Sequence, residues 1–163
     1  MRDLLAYAVQ CMEYLDNIGI EYGNVIDFTV NTRARNRWGQ CRAVPGGYTI
    51  NINVVLLDER NAESGLINTV LHELLHTCKG CMNHGENWKR LAAMVYRAYG
   101  FEITRTSSAE EKGIEAMPEK PVKHKFVCSG CGQIVTRQRE SDFTKYYTTY
   151  TCGRCHSHFQ KLF

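Results

Sequence analysis

Two histidines flank a glutamate in the run His72-Glu73-Leu74-Leu75-His76. On a helix, that spacing stacks both imidazoles on one face, one turn apart, where they can share a zinc ion at ~2.0–2.1 Å. Glu73 sits next to the first ligand, where it can act on a water at the metal rather than bind the metal itself. The competing reading, two surface histidines on a solvated helix, fits poorly with the apolar Val70, Leu71, Leu74 and Leu75 around them. A catalytic zinc keeps three protein ligands and one open position. His84 is the expected third ligand: it follows a loop containing Gly80, and Gly85 comes next, before a further helical pattern. Glu86 and Glu102 are its rivals, since a glutamate from a following helix can serve instead.

A second set of residues could hold metal without doing chemistry. Six of the 8 cysteines form C-x-x-C pairs: Cys78/Cys81, Cys128/Cys131 and Cys152/Cys155. The last two pairs are 20 residues apart, a spacing that suits a four-thiolate zinc site. With every position filled, such an ion is structural, and binding it is what folds the segment. Gly130, Gly132 and Gly153 suit knuckles that turn backbone N–H groups toward sulfur. Cys78/Cys81 has three readings: an inert loop pair, a redox-sensitive pair near the first zinc, or additional metal ligands. Cys11 and Cys41 read as small buried hydrophobes.

These residues need elements to position them. Leu4, Ala8, Cys11, Leu15 and Ile18 recur at helical spacing, and Gly19 is a stop signal. Over residues 25–53 the pattern shortens to β-branched and aromatic runs, with Pro45-Gly46-Gly47 as a hairpin turn. A helix with Asn61 as N-cap is predicted to about residue 77, and a second over about 86–99, closed by Gly100. Phe101–Thr106 reads as a short strand or an extended tail. Residues 107–121 are polar and read as a linker. The expected organisation is an α+β metal-dependent domain over 1–106, that linker, and a zinc ribbon over 122–163.

Composition narrows the classes. With 163 residues, 44% of them hydrophobic, the chain is neither mainly disordered nor large. No aliphatic run approaches the ~18 residues of a membrane span. Asp3, Glu13 and Asp16 make the start unlike a secretory segment, so a cytoplasmic (or nuclear) protein without membrane contact is expected. The net charge of +3 is uneven, because residues 122–163 hold 7 basic and 2 acidic side chains. There Lys123, Lys125, Arg137, Arg139, Lys145 and Arg154 interleave with Phe143, Tyr146, Tyr147 and Tyr150. That pattern suits nucleic acid, or else a solvated module whose aromatics form its own core. Arg33, Arg35 and Arg37 alternate at period two, which on an extended segment puts them on one face, toward substrate, DNA or solvent.

The chain resembles the SprT-like zinc metalloproteases, the family related to Spartan. The resemblance rests on Asn31-Thr32-Arg33-Ala34-Arg35, Trp38-Gly39-Gln40-Cys41-Arg42, Ile50-Asn51-Ile52-Asn53, the His72–His76 motif, and His84-Gly85 followed by Trp88. The C-terminal cysteines resemble the ribbon of bacterial members. The resemblance implies a zincin-like fold of helices and a short antiparallel sheet. It also implies a peptidase acting on proteins associated with or crosslinked to DNA. In that reading His72, His76 and His84 hold a catalytic zinc, Glu73 is the general base, and Cys128, Cys131, Cys152 and Cys155 hold a structural zinc. Arg33, Arg35, Tyr48 and Tyr96 are candidate oxyanion donors. A monomer is expected, with a protein substrate and with DNA as a partner through the ribbon and the arginines. Two other classes remain. One is a nucleic-acid-binding adaptor with an inactive, structural zinc at the histidines; the other is a redox module built on Cys78/Cys81.

Overall fold

The computed structural model describes residues 1–34, 37–115 and 121–163. The chain forms two compact units, Met1–Met117 and Pro118–Phe163. Arg35 and residues 116–120 of the expected linker lie outside the described residues.

The first unit begins with α1 (Leu4–Asn17), capped by Asp3, whose carboxylate accepts the Leu5 N–H at 2.9 Å. Its buried face is Leu4, Ala8, Cys11 and Leu15, and the chain leaves through Gly19 at φ 68°. A three-stranded sheet follows: β1 (Val25–Asn31), β2 (Gly39–Val44) and β3 (Gly47–Asn53), in the order β1-β3-β2. β2 and β3 form the expected antiparallel hairpin, with Gly46 at φ 87° in a Pro-Gly turn. β1 joins the other edge of β3 in parallel, so the sheet is mixed rather than wholly antiparallel. The geometry follows from the connection. β1 and β2 lie on opposite edges of β3 and run in opposite directions, and the hairpin reverses the chain again into β3.

Two helices complete the scaffold: α2 (Glu63–Thr77) and α3 (Glu86–Tyr99). α2 is central. Leu66, Val70, Leu71, Leu74 and Leu75 on it are fully buried against α1, α3 and the sheet, where they meet Ile50, Ile52 and Val95. Each such side chain contributes about 1.5–3 kcal/mol of burial, which makes α2 a stiff support for the motif it carries. α3 buries Trp88, Leu91, Ala92 and Val95 and ends at Gly100, at φ 76°, with its N–H on the Tyr96 carbonyl.

Two expectations change. Asn61 does not cap α2, because Ala62 occupies that position. The buried Asn61 side chain instead donates to the Val55 carbonyl and accepts the Glu115 N–H, each at 2.8 Å. The second bond belongs to a larger correction: residues 107–115 are not a free linker. The Ser107 carbonyl accepts the Trp38 indole N–H at 2.9 Å, the Gly113 carbonyl accepts the Ala62 N–H at 2.9 Å, and Lys112 is buried. The residues ahead of them form no strand; Phe101–Thr104 follow α3 without regular structure.

The second unit is a small antiparallel sheet in the order β5-β4-β6, from β4 (His124–Cys128), β5 (Ile134–Arg137) and β6 (Phe159–Lys161). A single turn, α4 (Asp142–Lys145), begins at a Ser141/Thr144 capping box. The core is little more than Phe126, Phe159, Phe143 and Tyr147 beside the cysteines. No described helix is long and apolar enough to cross a membrane.

Candidate metal centre

α2 delivers His72 and His76 from one face, and the loop between α2 and α3 returns His84 to them. The three rings form a cluster whose ligand atoms lie within 4.8 Å of one another. The Nε2 atoms are 3.2 Å apart for His72 and His76, and 3.0 Å for His72 and His84. An ion bonded tetrahedrally to imidazole nitrogens at ~2.0–2.1 Å sets its ligand atoms about 3.3 Å apart, so the spacing fits. The outer nitrogens fit as well. His72 Nδ1 lies 3.0 Å from the Thr104 carbonyl, and His76 Nδ1 lies 2.7 Å from the Cys81 carbonyl. A carbonyl only accepts, so each Nδ1 carries the proton and each Nε2 lone pair is left for a metal. Burial, followed by the neighbouring His76 and His84, holds His72 down to about 3, so its ring stays neutral. The Trp88 ring packs on all three imidazoles, with centroids 4.6–5.8 Å away.

The rivals for the third position lie elsewhere. Glu86 points to solvent and pairs with Lys89 at 2.8 Å, and Glu102 lines a groove along α3. Neither joins the cluster. The Cys78/Cys81 pair is buried beneath it, and Gly80 at φ 75° turns the chain so that the Cys81 carbonyl meets His76.

Set beside this geometry, a comparison with family models decides the family: the SprT-like model matches residues 10–107. The chain belongs to the SprT-like family. Two curated relatives, each named Protein SprT-like, are similar to it. One, from Enterococcus faecalis, is 26% identical over 133 residues, covering 78% of this chain and 75% of the relative. The other, from Lactococcus lactis, is 26% identical over 129 residues, covering 77% and 73%.

Glu73 is the second feature of this SprT-like site. It is 6% exposed, lies outside the histidine cluster, and presses against β2. A Cβ at Gly39 would land on its carboxylate, so that strand approaches only because residue 39 has no side chain. Burial pushes the Glu73 carboxyl up to about 7, opposed by the Cys41 backbone N–H and by the positive charges of Lys112 and Arg37. A cavity of ≈220 Å³ beside His72 and Glu73 is lined by Arg37, Thr104, Arg105 and Lys112 among others. A groove of ≈540 Å³ shares Thr104 and Arg105 with it and runs along α3 past His84, Ala92 and Tyr96.

Arg33 and Arg37 do not lie on a strand. β1 ends at Asn31, whose side chain accepts the Arg33 and Ala34 N–H groups in a turn, at 2.9 and 2.8 Å. Asn53 Nδ2 then donates to the carbonyls of Ala34 and Arg37, fixing the loop. Arg37 reaches the cavity, whereas Arg33 does not line it and Arg35 is outside the described residues. Of the other oxyanion candidates, Tyr96 lines the groove and Tyr48 lines neither space.

Sequence reasoning missed Lys112, Gly39, and the Thr104 and Cys81 carbonyls. For Lys112 a signal existed: Ser108 and Glu111 form an S-x-x-E pair, and each side chain accepts the other's backbone N–H, at 3.1 and 2.8 Å.

In the second unit the sulfurs of Cys128, Cys131, Cys152 and Cys155 lie within 4.8 Å of one another. Cys128 and Cys155 are 3.3 Å apart, and Cys131 and Cys152 are 3.7 Å apart. Tetrahedral thiolates at ~2.3 Å from an ion sit about 3.8 Å apart. The Ser157 backbone N–H, then Cys128, pull the Cys155 thiol down to about 6. Phe143 and Tyr147 pack into the ribbon's own core, while Tyr146 and Tyr150 stay exposed.

Proposed function

We propose that the chain is a zinc-dependent endopeptidase, with one catalytic zinc on His72, His76 and His84 and one structural zinc on the four cysteines. The observation that carries this reading is Glu73. It is a buried carboxylate beside three converged imidazoles, facing a cavity large enough for a peptide group. A merely structural site has no use for such a group, and burying a carboxylate costs stability.

Bound at the histidines, zinc supplies Lewis acidity toward a water molecule and a substrate carbonyl. Glu73 receives the proton as water attacks the scissile carbonyl and passes it to the leaving nitrogen. Its elevated affinity for protons matches a base that must also act as an acid near neutral pH. Thr104 and Cys81 hold the ligand rings in one tautomer, and Trp88 excludes solvent from their far side.

The substrates in this reading are proteins bound or crosslinked to DNA, with the ribbon as the DNA contact. Exposed Tyr146 and Tyr150 beside Lys145 and Arg154 suit stacking on bases and pairing with phosphates of single-stranded DNA.

The deciding experiment compares wild type and Glu73→Gln on a DNA-bound protein, with and without single-stranded DNA. Wild type is expected to cleave in a chelator-sensitive manner. Glu73→Gln is expected to keep two zincs per chain and lose cleavage by at least about 10²-fold. Equal cleavage by both proteins overturns the assignment. Two zincs with no cleavage in any condition favours the adaptor.

A further inference from the structure

Lys112 is 7% exposed, yet among the described residues its ammonium makes no hydrogen bond or ion pair. It lines the cavity that holds Glu73 and His72. The side chain is buried while its ammonium, which is not fully enclosed, opens onto that cavity, and partial desolvation makes such a charge costly unless something uses it.

The strap that carries it is built rather than draped. Ser108 and Glu111 cap each other, the Trp38 indole holds Ser107, and Ala62 and Asn61 hold Gly113 and Glu115. A Cβ at Gly65 would land on the Lys112 carbonyl, so α2 touches the strap backbone directly at the lysine. The backbone of Lys112 is thus fixed against α2, the helix that carries His72 and Glu73. Arg37 and Arg105 line the same cavity but are exposed, and water screens their charge.

We infer that Lys112 is a further catalytic residue, whose ammonium receives the scissile carbonyl oxygen as that oxygen gains negative charge. This rests on the peptidase reading above. A preorganised donor in a site shielded from water does this work best, and a single such donor is worth about 10²–10³ in kcat. Of the sequence-based candidates for this role, Arg33 and Tyr48 do not line the cavity, Tyr96 lines the adjoining groove, and Arg35 is outside the described residues.

The test uses the full, zinc-loaded chain as wild type, Lys112→Met, Lys112→Arg and Glu73→Gln. Unfolded casein serves as substrate, and an N-phosphoryl dipeptide mimics the tetrahedral oxyanion. Lys112→Met is expected to lower kcat about 10²-fold with KM within threefold, and to weaken the phosphoryl dipeptide by a similar factor. Zinc content should stay as in wild type and the melting temperature of Lys112→Met should not fall, since an apolar side chain replaces a costly buried charge, and Lys112→Arg should recover part of both losses. If Lys112→Met retains kcat while Glu73→Gln loses it, the lysine assignment fails and the peptidase reading stands. A lower kcat with unchanged phosphoryl dipeptide affinity also overturns it, because Lys112 would then be acting on Glu73 rather than on substrate. If wild type is inert on casein and on DNA-bound protein, the peptidase reading fails first and the role of Lys112 with it.

Discussion

Glu73 is the residue on which the proposed chemistry turns, and its surroundings make a prediction that needs no substrate. Folding moves its carboxyl from an ordinary 4.5 to about 7, chiefly by burial. A raised carboxyl binds its proton more tightly in the folded chain, so its contribution is complete below pH 4.5 and disappears as pH rises through about 7. Glutamine has no such dependence. In metal-stripped protein, Glu73→Gln should therefore match wild type near pH 4.5 and become the more stable form toward pH 7. The gap should widen by up to ~1.4 kcal/mol per pH unit. His72, held down to about 3, titrates in both proteins and cancels in the difference. Urea melts at several pH values measure it, and a gap that stays flat contradicts the burial account. The His72–His76 motif was legible because four-residue spacing is a property of one helix. Gly39 and Lys112 were not, because tertiary packing alone brings a strand and a strap to the same carboxylate.

At the scale of elements, the strap over residues 107–115 is where local composition misled. Its polar, Gly-containing sequence reads as linker, yet its backbone groups are taken up by Trp38, Ala62 and Asn61. Asn61 shows the same competition, since a good N-cap type was used to tie two segments together and α2 starts uncapped. Helices α1 and α3 and the hairpin were legible because periodicity, Gly19, Gly100 and the Pro-Gly turn are local signals. Gly65 tests the strap's role. Alanine there improves helix propensity by about 1 kcal/mol, but its Cβ would meet backbone rather than a flexible side chain. Gly65→Ala should thus be net destabilising, by roughly 1–3 kcal/mol, with faster amide exchange across 107–115 and an unchanged zinc count. A variant more stable than wild type, with the strap's exchange unaltered, would show that α2 and the strap are not in fixed contact.

At the scale of the molecule, the two units differ in what holds them together. Met1–Met117 has a continuous core around α2, with Leu66, Leu71, Leu74 and Leu75 fully buried, and its histidine cluster sits on elements already packed. Among the described residues of Pro118–Phe163 the core has four buried members, two of them cysteines of its cluster. Such a core is too small to offset chain entropy, so in the proposed reading zinc bound at the four cysteines supplies most of the folding free energy of the ribbon. Cys152 is buried, and its sulfur also meets Gln133 at 3.4 Å. Cys152→Ser should consequently reduce zinc from two per chain to one and open residues 121–163 to proteolysis, leaving the first unit's melting transition in place. If the ribbon is also the DNA contact, the same variant should lose single-stranded DNA binding at low salt yet keep chelator-sensitive cleavage of an unfolded protein. Metal analysis, limited proteolysis and the two assays on one preparation separate these outcomes. Loss of the first unit's zinc or of its melt in Cys152→Ser would mean that the units fold as one and that the ribbon is part of the metallopeptidase scaffold.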